Sequence, residues 1–156
     1  MQGTSSVSVE SAPKGGFWIR FVAYLIDALI VGVPIYIVFG LILGMTRTTV
    51  SSTGSAAAGG IAAGFYGVLI LAYVVYFVYF WSAGGGQTPG MRLFGLRVVK
   101  TDGSRVSVGT AILRYIGTII NSIIFGLPIG WIWAAFDKNK QGWHDKIAGT
   151  YVVKAT

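Results

Sequence analysis

Two long apolar runs set the frame of the chain. Residues 17–44, FWIRFVAYLIDALIVGVPIYIVFGLILG, and residues 61–82, IAAGFYGVLILAYVVYFVYFWS, are both as long as the about 20 apolar residues that cross bilayer hydrocarbon. They predict two transmembrane helices. Pro34, close to Gly32, predicts a kink or a tilt in the first. Tyr79, Phe80 and Trp81 suit an interfacial aromatic belt at the end of the second. A small-residue polar stretch, 45–60, connects the two, and a polar tail, 1–16, without an apolar core of its own, precedes them.

The pattern then changes. Residues 84–108 are too polar to span. Within them LRVVK and RVSV flank Asp102-Gly103, a dipeptide suited to the φ > 0 positions of a tight turn, so a β-hairpin is expected. The C-terminal GTYVVKAT, 149–156, is β-prone and able to add a strand. Between them, residues 111–136 form a third hydrophobic segment interrupted near Gly126, Pro128 and Gly130. Its first half is amphipathic: Thr110, Arg114, Thr118 and Asn121 recur at spacings of three or four, and Ile112, Leu113, Ile116, Ile119, Ile120 and Ile123 cover the other side. The expected fold is an all-α integral membrane protein. It has two full transmembrane helices, a broken third segment that is re-entrant or interfacial, and a small cytoplasmic β-hairpin. Residues 17–156 form one domain, with 137–156 as its tail.

Composition agrees. The chain has 156 residues, 54% hydrophobic and 11% charged, against about 25% charged in soluble domains. With no cysteine and one histidine, His144, disulfides, thiolate metal sites and metal clusters are not expected, and neither is a cofactor. The net charge of +7 does not call for nucleic acid, because the basic residues flank apolar segments, where they set orientation. If the third segment returns to the side it came from, eleven of the twelve basic residues share one side and Arg47 alone faces the other; if it spans, the split is seven to five. The positive-inside rule favours the first, with both termini cytoplasmic.

Arg20 and Asp27 lie inside the first run, two helical turns apart on one face, with Tyr24 between them. Arg20 is long enough to snorkel to headgroups, or to take a mechanistic role. Asp27 is not, so it is read either as a buried helix contact or as a cation- or proton-binding carboxylate, with the hydroxyl of Tyr66 or Tyr73 within reach. Asp137 and Asp145 follow the third segment, Asp145 beside His144 as in a proton relay, or both in a surface loop paired with Lys138, Lys140 and Lys146. Arg114 and Asn121 line a cavity or face headgroups. GGGQTPGMR, 84–92, lacks the Gly-Lys-Ser/Thr ending of a phosphate loop and is followed by a strand. No catalytic triad, Cys-His pair or HExxH helix is present, so an enzyme is not expected.

Together, GFWIRFVAYLIDALIVG (16–32), GGGQTPGMRLFGLRVVKTDG (84–103) and FDKNKQGWHDKIAGTYVV (136–153) resemble the RDD family of small prokaryotic membrane proteins, named for one arginine and two aspartates. The resemblance implies that the arginine is Arg20, the first aspartate Asp27, and the second Asp145 or Asp137. Met91 stands where a lysine is common. The family suggests transport without specifying a substrate. Two functions are expected from these readings. One is an ion- or proton-coupled transporter using Asp27, which in so small a chain requires a homo-oligomer. The other is an accessory or assembly subunit of a larger plasma-membrane complex, with the bilayer and partner membrane subunits as its contacts.

Overall fold

A computed structural model of the chain describes residue 9 and residues 11–50, 54–125 and 129–155. Its elements are α1 (Phe17–Val50), α2 (Gly54–Ser82), α3 (Pro89–Leu93), β1 (Leu96–Lys100), α4 (Val108–Phe125), α5 (Ile129–Phe136), α6 (Trp143–Ala148) and β2 (Thr150–Lys154). Among the described residues, Phe17–Met45 and Gly59–Ser82 are long and apolar enough to cross a membrane. Both helices continue into the stretch expected to be a polar connection, and α1 runs through Pro34. The interior of 1–16, apart from residues 9 and 11–16, lies outside the described residues.

α1 and α2 pack as a hairpin, with Phe39 stacked on Phe65 at 4.0 Å. Their outer halves stay largely exposed, as at Leu41 and Leu71. The core sits at the other end. Ala23 and Tyr24 of α1, Trp81 of α2, Met91 of α3, Leu96 and Val98 of β1, Ala111 of α4 and Val152 of β2 close on one another there.

The expected hairpin is corrected. Its turn forms: Gly103 has φ 82°, its N–H donates to the Lys100 carbonyl at 2.9 Å, and the Lys100 N–H donates to the Ser104 carbonyl at 3.0 Å. RVSV, however, does not form a strand. The edge of β1 it needs is occupied, because the Val98 N–H donates to the Gly86 carbonyl at 2.8 Å and Gln87 Nε2 donates to the Leu96 carbonyl at 2.9 Å. The strand partner is instead β2, antiparallel, with Val98 opposite Val152. On the far edge of β2, Lys14 bridges Val153 and the Gly15 N–H donates to the Val152 carbonyl at 3.0 Å. The start of α1, the segment after α2 and the C-terminus therefore lie at one end of the molecule.

The third segment is two helices. Residues 126–128, with Gly126 and Pro128, lie outside the described residues. Gly130 is inside α5 rather than between helices, and its lack of a side chain matters for packing: a Cβ there would stand 2.7 Å from Asn121 Cγ and 3.1 Å from Trp143 Cβ. At Gly117 of α4 a Cβ would lie 3.1 Å from the His144 backbone. α5 and α6 thus retrace α4, Gly130 beside Asn121, His144 beside Gly117 and Asp145 beside Arg114. The amphipathicity of α4 is inverted relative to a soluble helix. Arg114 and Asn121 are buried, while Ile112, Leu113, Ile116, Ile119, Ile120 and Ile123 are 38–75% exposed.

Candidate functional site

Four elements meet at Asp145. It is the third residue of α6, and its Oδ2 accepts the Gly142 N–H at 3.0 Å, closing the first turn of that short helix. Gly149, at φ 60°, ends α6 in the left-handed conformation that glycine adopts without strain. Arg20, in the first turn of α1, donates from Nη1 to Asp145 Oδ2 at 2.8 Å. Its other donors reach the Gly15 carbonyl at 2.9 Å and the Val152 carbonyl at 3.3 Å. Arg114 of α4 donates from Nη1 to Asp145 Oδ1 and to Thr150 Oγ1 at 2.5 Å, and from Nη2 to the Tyr24 hydroxyl at 3.2 Å. Its guanidinium lies 4.9 Å from the centre of the Trp81 ring. The fork geometry of the guanidinium allows each arginine to bind several acceptors at once.

The cluster holds two guanidinium groups against one carboxylate, all buried. Burial by itself would raise the Asp145 carboxyl, but the guanidinium charges of Arg114 and Arg20, with the Gly142 N–H, outweigh it and hold the group below the usual carboxylate range. Burial pushes the His144 imidazole down to about 4, with Asp145 opposing and Arg114 and Arg20 adding to the fall. His144 is therefore neutral at pH 7, and its Nε2 stands 3.7 Å from Asp145 Oδ2, beyond hydrogen-bond reach. The adjacent pair is not assembled as a proton relay.

Asp27 anchors a second cluster one helical stretch deeper. Tyr76 of α2 donates its hydroxyl to Oδ1 at 2.8 Å, the Gly90 N–H donates to Oδ1 at 2.8 Å, and Thr88 donates to Oδ2 at 2.5 Å. Thr88 is the N-cap of α3, with Pro89 in its first turn, so the carboxylate faces the open N–H end of that helix. Gly90 is required by close approach: a Cβ would strike the Ala23 carbonyl and lie 2.9 Å from the Asp27 carboxyl.

Several expectations are corrected by this geometry. Arg20 does not snorkel; it is bound inside the protein. Tyr76 serves Asp27, whereas Tyr73 donates to the Ala28 carbonyl at 2.8 Å and Tyr66 is exposed. Arg114 and Asn121 face neither a cavity nor headgroups: Asn121 Oδ1 accepts the Gly130 N–H at 2.8 Å. Asp137 stands apart from both clusters, bound by Lys146 Nζ at 2.6 Å and by the Asn139 and Gln141 N–H groups at 3.1 and 3.2 Å. The hydrogen bond from Lys146 is the main cause of its lowered carboxyl pKa. GGGQTPGMR runs into α3, which begins at its Pro89 and precedes the strand. Thr88, Gly90, Thr150 and Trp81 were not anticipated as site residues. The first two carry a local signal, Thr-Pro at a helix start; the others carry none.

The RDD family model matches residues 14–149. The chain is 37% identical over 144 residues to the uncharacterised protein YckC of Bacillus subtilis strain 168, covering 90% of this chain and 85% of the relative. It is 36% identical over 152 residues to YxaI of the same organism, covering 88% and 95%. With the membrane protein YteJ, also from that strain, identity is 33% over 159 residues, covering 98% and 88%. No solved structure matches the chain significantly.

Proposed function

The chain belongs to the RDD family, and from that premise we propose that it is an accessory or assembly subunit of a plasma-membrane complex, without transport or enzymatic activity of its own. One observation carries the proposal. The charged side chains of its membrane segments are bound inside the chain: Arg20 and Arg114 with Asp145, and Asp27 with Tyr76, Thr88 and Gly90. Asn121 Oδ1 accepts the Gly130 N–H, while the buried Trp81 Nε1, Arg114 Nε and Asn121 Nδ2 are left without a hydrogen bond among the described residues. What the outer surface offers is apolar: the exposed faces of α1, α2 and α4. Grooves of about 430 and 530 Å³ flank the α1–α2 contact at Phe39 and Phe65. Such faces suit lipid and the helices of neighbouring subunits.

The same geometry supports both ends of the chain on one side of the membrane, and the distribution of basic residues supports the cytoplasmic side. Residues 13–15, β1 and β2 share hydrogen bonds. α4, with 18 residues, rises about 27 Å, short of the about 30 Å hydrocarbon layer, before α5 and α6 return alongside it. The exposed isoleucines of α4 suit contact with lipid.

Ion-coupled transport by a homo-oligomer is the competing reading. It requires Asp27 to exchange one of its three donors for a cation or proton. Purification from native membranes in mild detergent, sizing of the particle and flux measurements on the reconstituted chain decide between the two. The expected result is a particle containing other membrane subunits and no flux from the isolated chain. Flux that Asp27→Asn abolishes would overturn the proposal.

A further inference from the structure

The geometry points to an anion site, independent of both polar clusters, that takes a phosphate group at the base of α2. A cavity of about 260 Å³ opens between the loop after α2 and the turn after β1, lined by Gly85, Gly86, Arg97, Ser104, Arg105 and Val106 among others. About half of its wall is polar, unlike the largely apolar α1–α2 grooves. Gly85 and Gly86 both have positive φ, 75° and 80°, which wraps the backbone around one side. A Cβ at Gly86 would collide with the Val98 carbonyl and lie 3.2 Å from Arg97 Cγ, so the arginine stem runs along the glycine loop.

Arg97 and Arg105 are exposed, and among the described residues neither makes an ion pair. Arg92 and Lys100 add to the same region, where Asp102 is the one acid between residues 84 and 107. The Asp102 carboxylate is engaged by the Ser104 N–H at 2.8 Å. Two arginines lining one small cavity can recognise a phosphate by paired, charge-assisted hydrogen bonds.

This is not a nucleotide loop: the residues lack that pattern, and the volume is below the about 300–1,000 Å³ of ordinary ligand pockets. It fits a phosphate group with little attached inside the cavity. The depth identifies the surroundings. The Gly86 N–H donates to the Phe80 carbonyl at 3.2 Å, which ties the cavity to the Tyr79–Trp81 end of α2, at headgroup level in the proposed topology. The phosphate is that of an anionic lipid headgroup or a free phosphate.

Native mass spectrometry of the detergent-solubilised full chain tests the site with phosphatidylglycerol, phosphatidylcholine and inorganic phosphate as probes. The comparison is between the natural chain, Arg97→Gln/Arg105→Gln, and a charge-matched control, Lys138→Gln/Lys154→Gln. Retention of phosphatidylglycerol over phosphatidylcholine that falls about tenfold in the arginine variant and not in the control identifies a headgroup site. Retention of inorganic phosphate with the same dependence, without lipid preference, identifies a free-phosphate site. The site is refuted if the arginine variant retains every probe as the natural chain does, if the control falls equally, or if the natural chain retains none. Both arginines are exposed, and size-exclusion profiles confirm that the variants remain folded.

Discussion

Arg20 and Asp145, 125 positions apart, meet at 2.8 Å in the protein interior. The pair joins the first turn of α1 to the first turn of α6, and Arg114 joins α4 to the same carboxylate. Removing the shared acid leaves two buried cations without a counter-charge. Asp145→Asn is therefore expected to lower stability by about 3–5 kcal/mol, the usual cost of breaking a buried pair from one side. Arg20→Lys retains the charge but loses the fork to the Gly15 and Val152 carbonyls, so it should cost less, about 1–3 kcal/mol. Thermal unfolding in detergent measures both, and equal loss in the two variants would show that charge alone is not what holds the cluster.

Stability is expected to fall on mild acidification. His144 is lowered from 6.5 to about 4. Between those values the unfolded chain binds the extra proton and the folded chain does not, so stability is complete above about pH 6.5 and declines as pH falls toward 4. At about 1.4 kcal/mol per unit, the loss is about 3 kcal/mol. Asp145 adds a second decline: its folded carboxyl is lowered, so its contribution is present above the unfolded value near 4 and is lost below that. His144→Gln should flatten unfolding temperature between pH 7 and 4.5 while leaving the steeper fall at lower pH. A slope unchanged by His144→Gln would place the titration elsewhere.

The two long helices were legible because length and apolarity suffice to find them. Their ends were not: α1 continues to Val50 and α2 begins at Gly54, past the apolar runs, since a helix does not stop where hydrophobicity does. The β-prone character of LRVVK was legible too, as was the C-terminal strand able to join it, but the second strand of the expected hairpin was not. The local Asp-Gly turn suggested RVSV, whereas Gly86 and Gln87 occupy that edge and the long-range β2 pairs on the other. Arg20 and Asp27 stood out as charges in apolar surroundings. Their partners Asp145 and Tyr76 depend on helix rotation and chain return, and nothing in the local sequence distinguishes Tyr76 from Tyr73.

The hydrogen bonds of β2 hold residues 13–15 and β1 on one side, and the basic residues make that side the expected cytoplasmic one. Ser11→Cys, Asp102→Cys and Lys154→Cys, made singly in this cysteine-free chain, should behave alike toward an impermeant thiol reagent added to intact cells: all protected. Labelling of all three would reverse the orientation while keeping the shared side. Labelling at 154 alone would mean that the strand pairing of β1 with β2 does not exist in the membrane.

Asp27 offers the sharpest test of why an acid sits in a lipid-spanning helix. Asn retains an oxygen for the Tyr76 hydroxyl and the Gly90 N–H, and its amide is able to donate to Thr88 Oγ1, so Asp27→Asn should be nearly silent, within about 1 kcal/mol. Asp27→Leu leaves three donors without an acceptor, two of them buried, and should cost about 3 kcal/mol. Gly90→Ala reaches the same joint from the other side, since its Cβ meets the Ala23 carbonyl and the Asp27 carboxyl; it too should release α3. Because both changes break one contact, the double variant Asp27→Leu/Gly90→Ala should be destabilised by less than the sum of the singles. Protease sensitivity of the 84–95 segment and unfolding temperature report the release. If Asp27→Asn is as damaging as Asp27→Leu, the negative charge itself is needed at this position, and the ion-coupled reading gains over the architectural one.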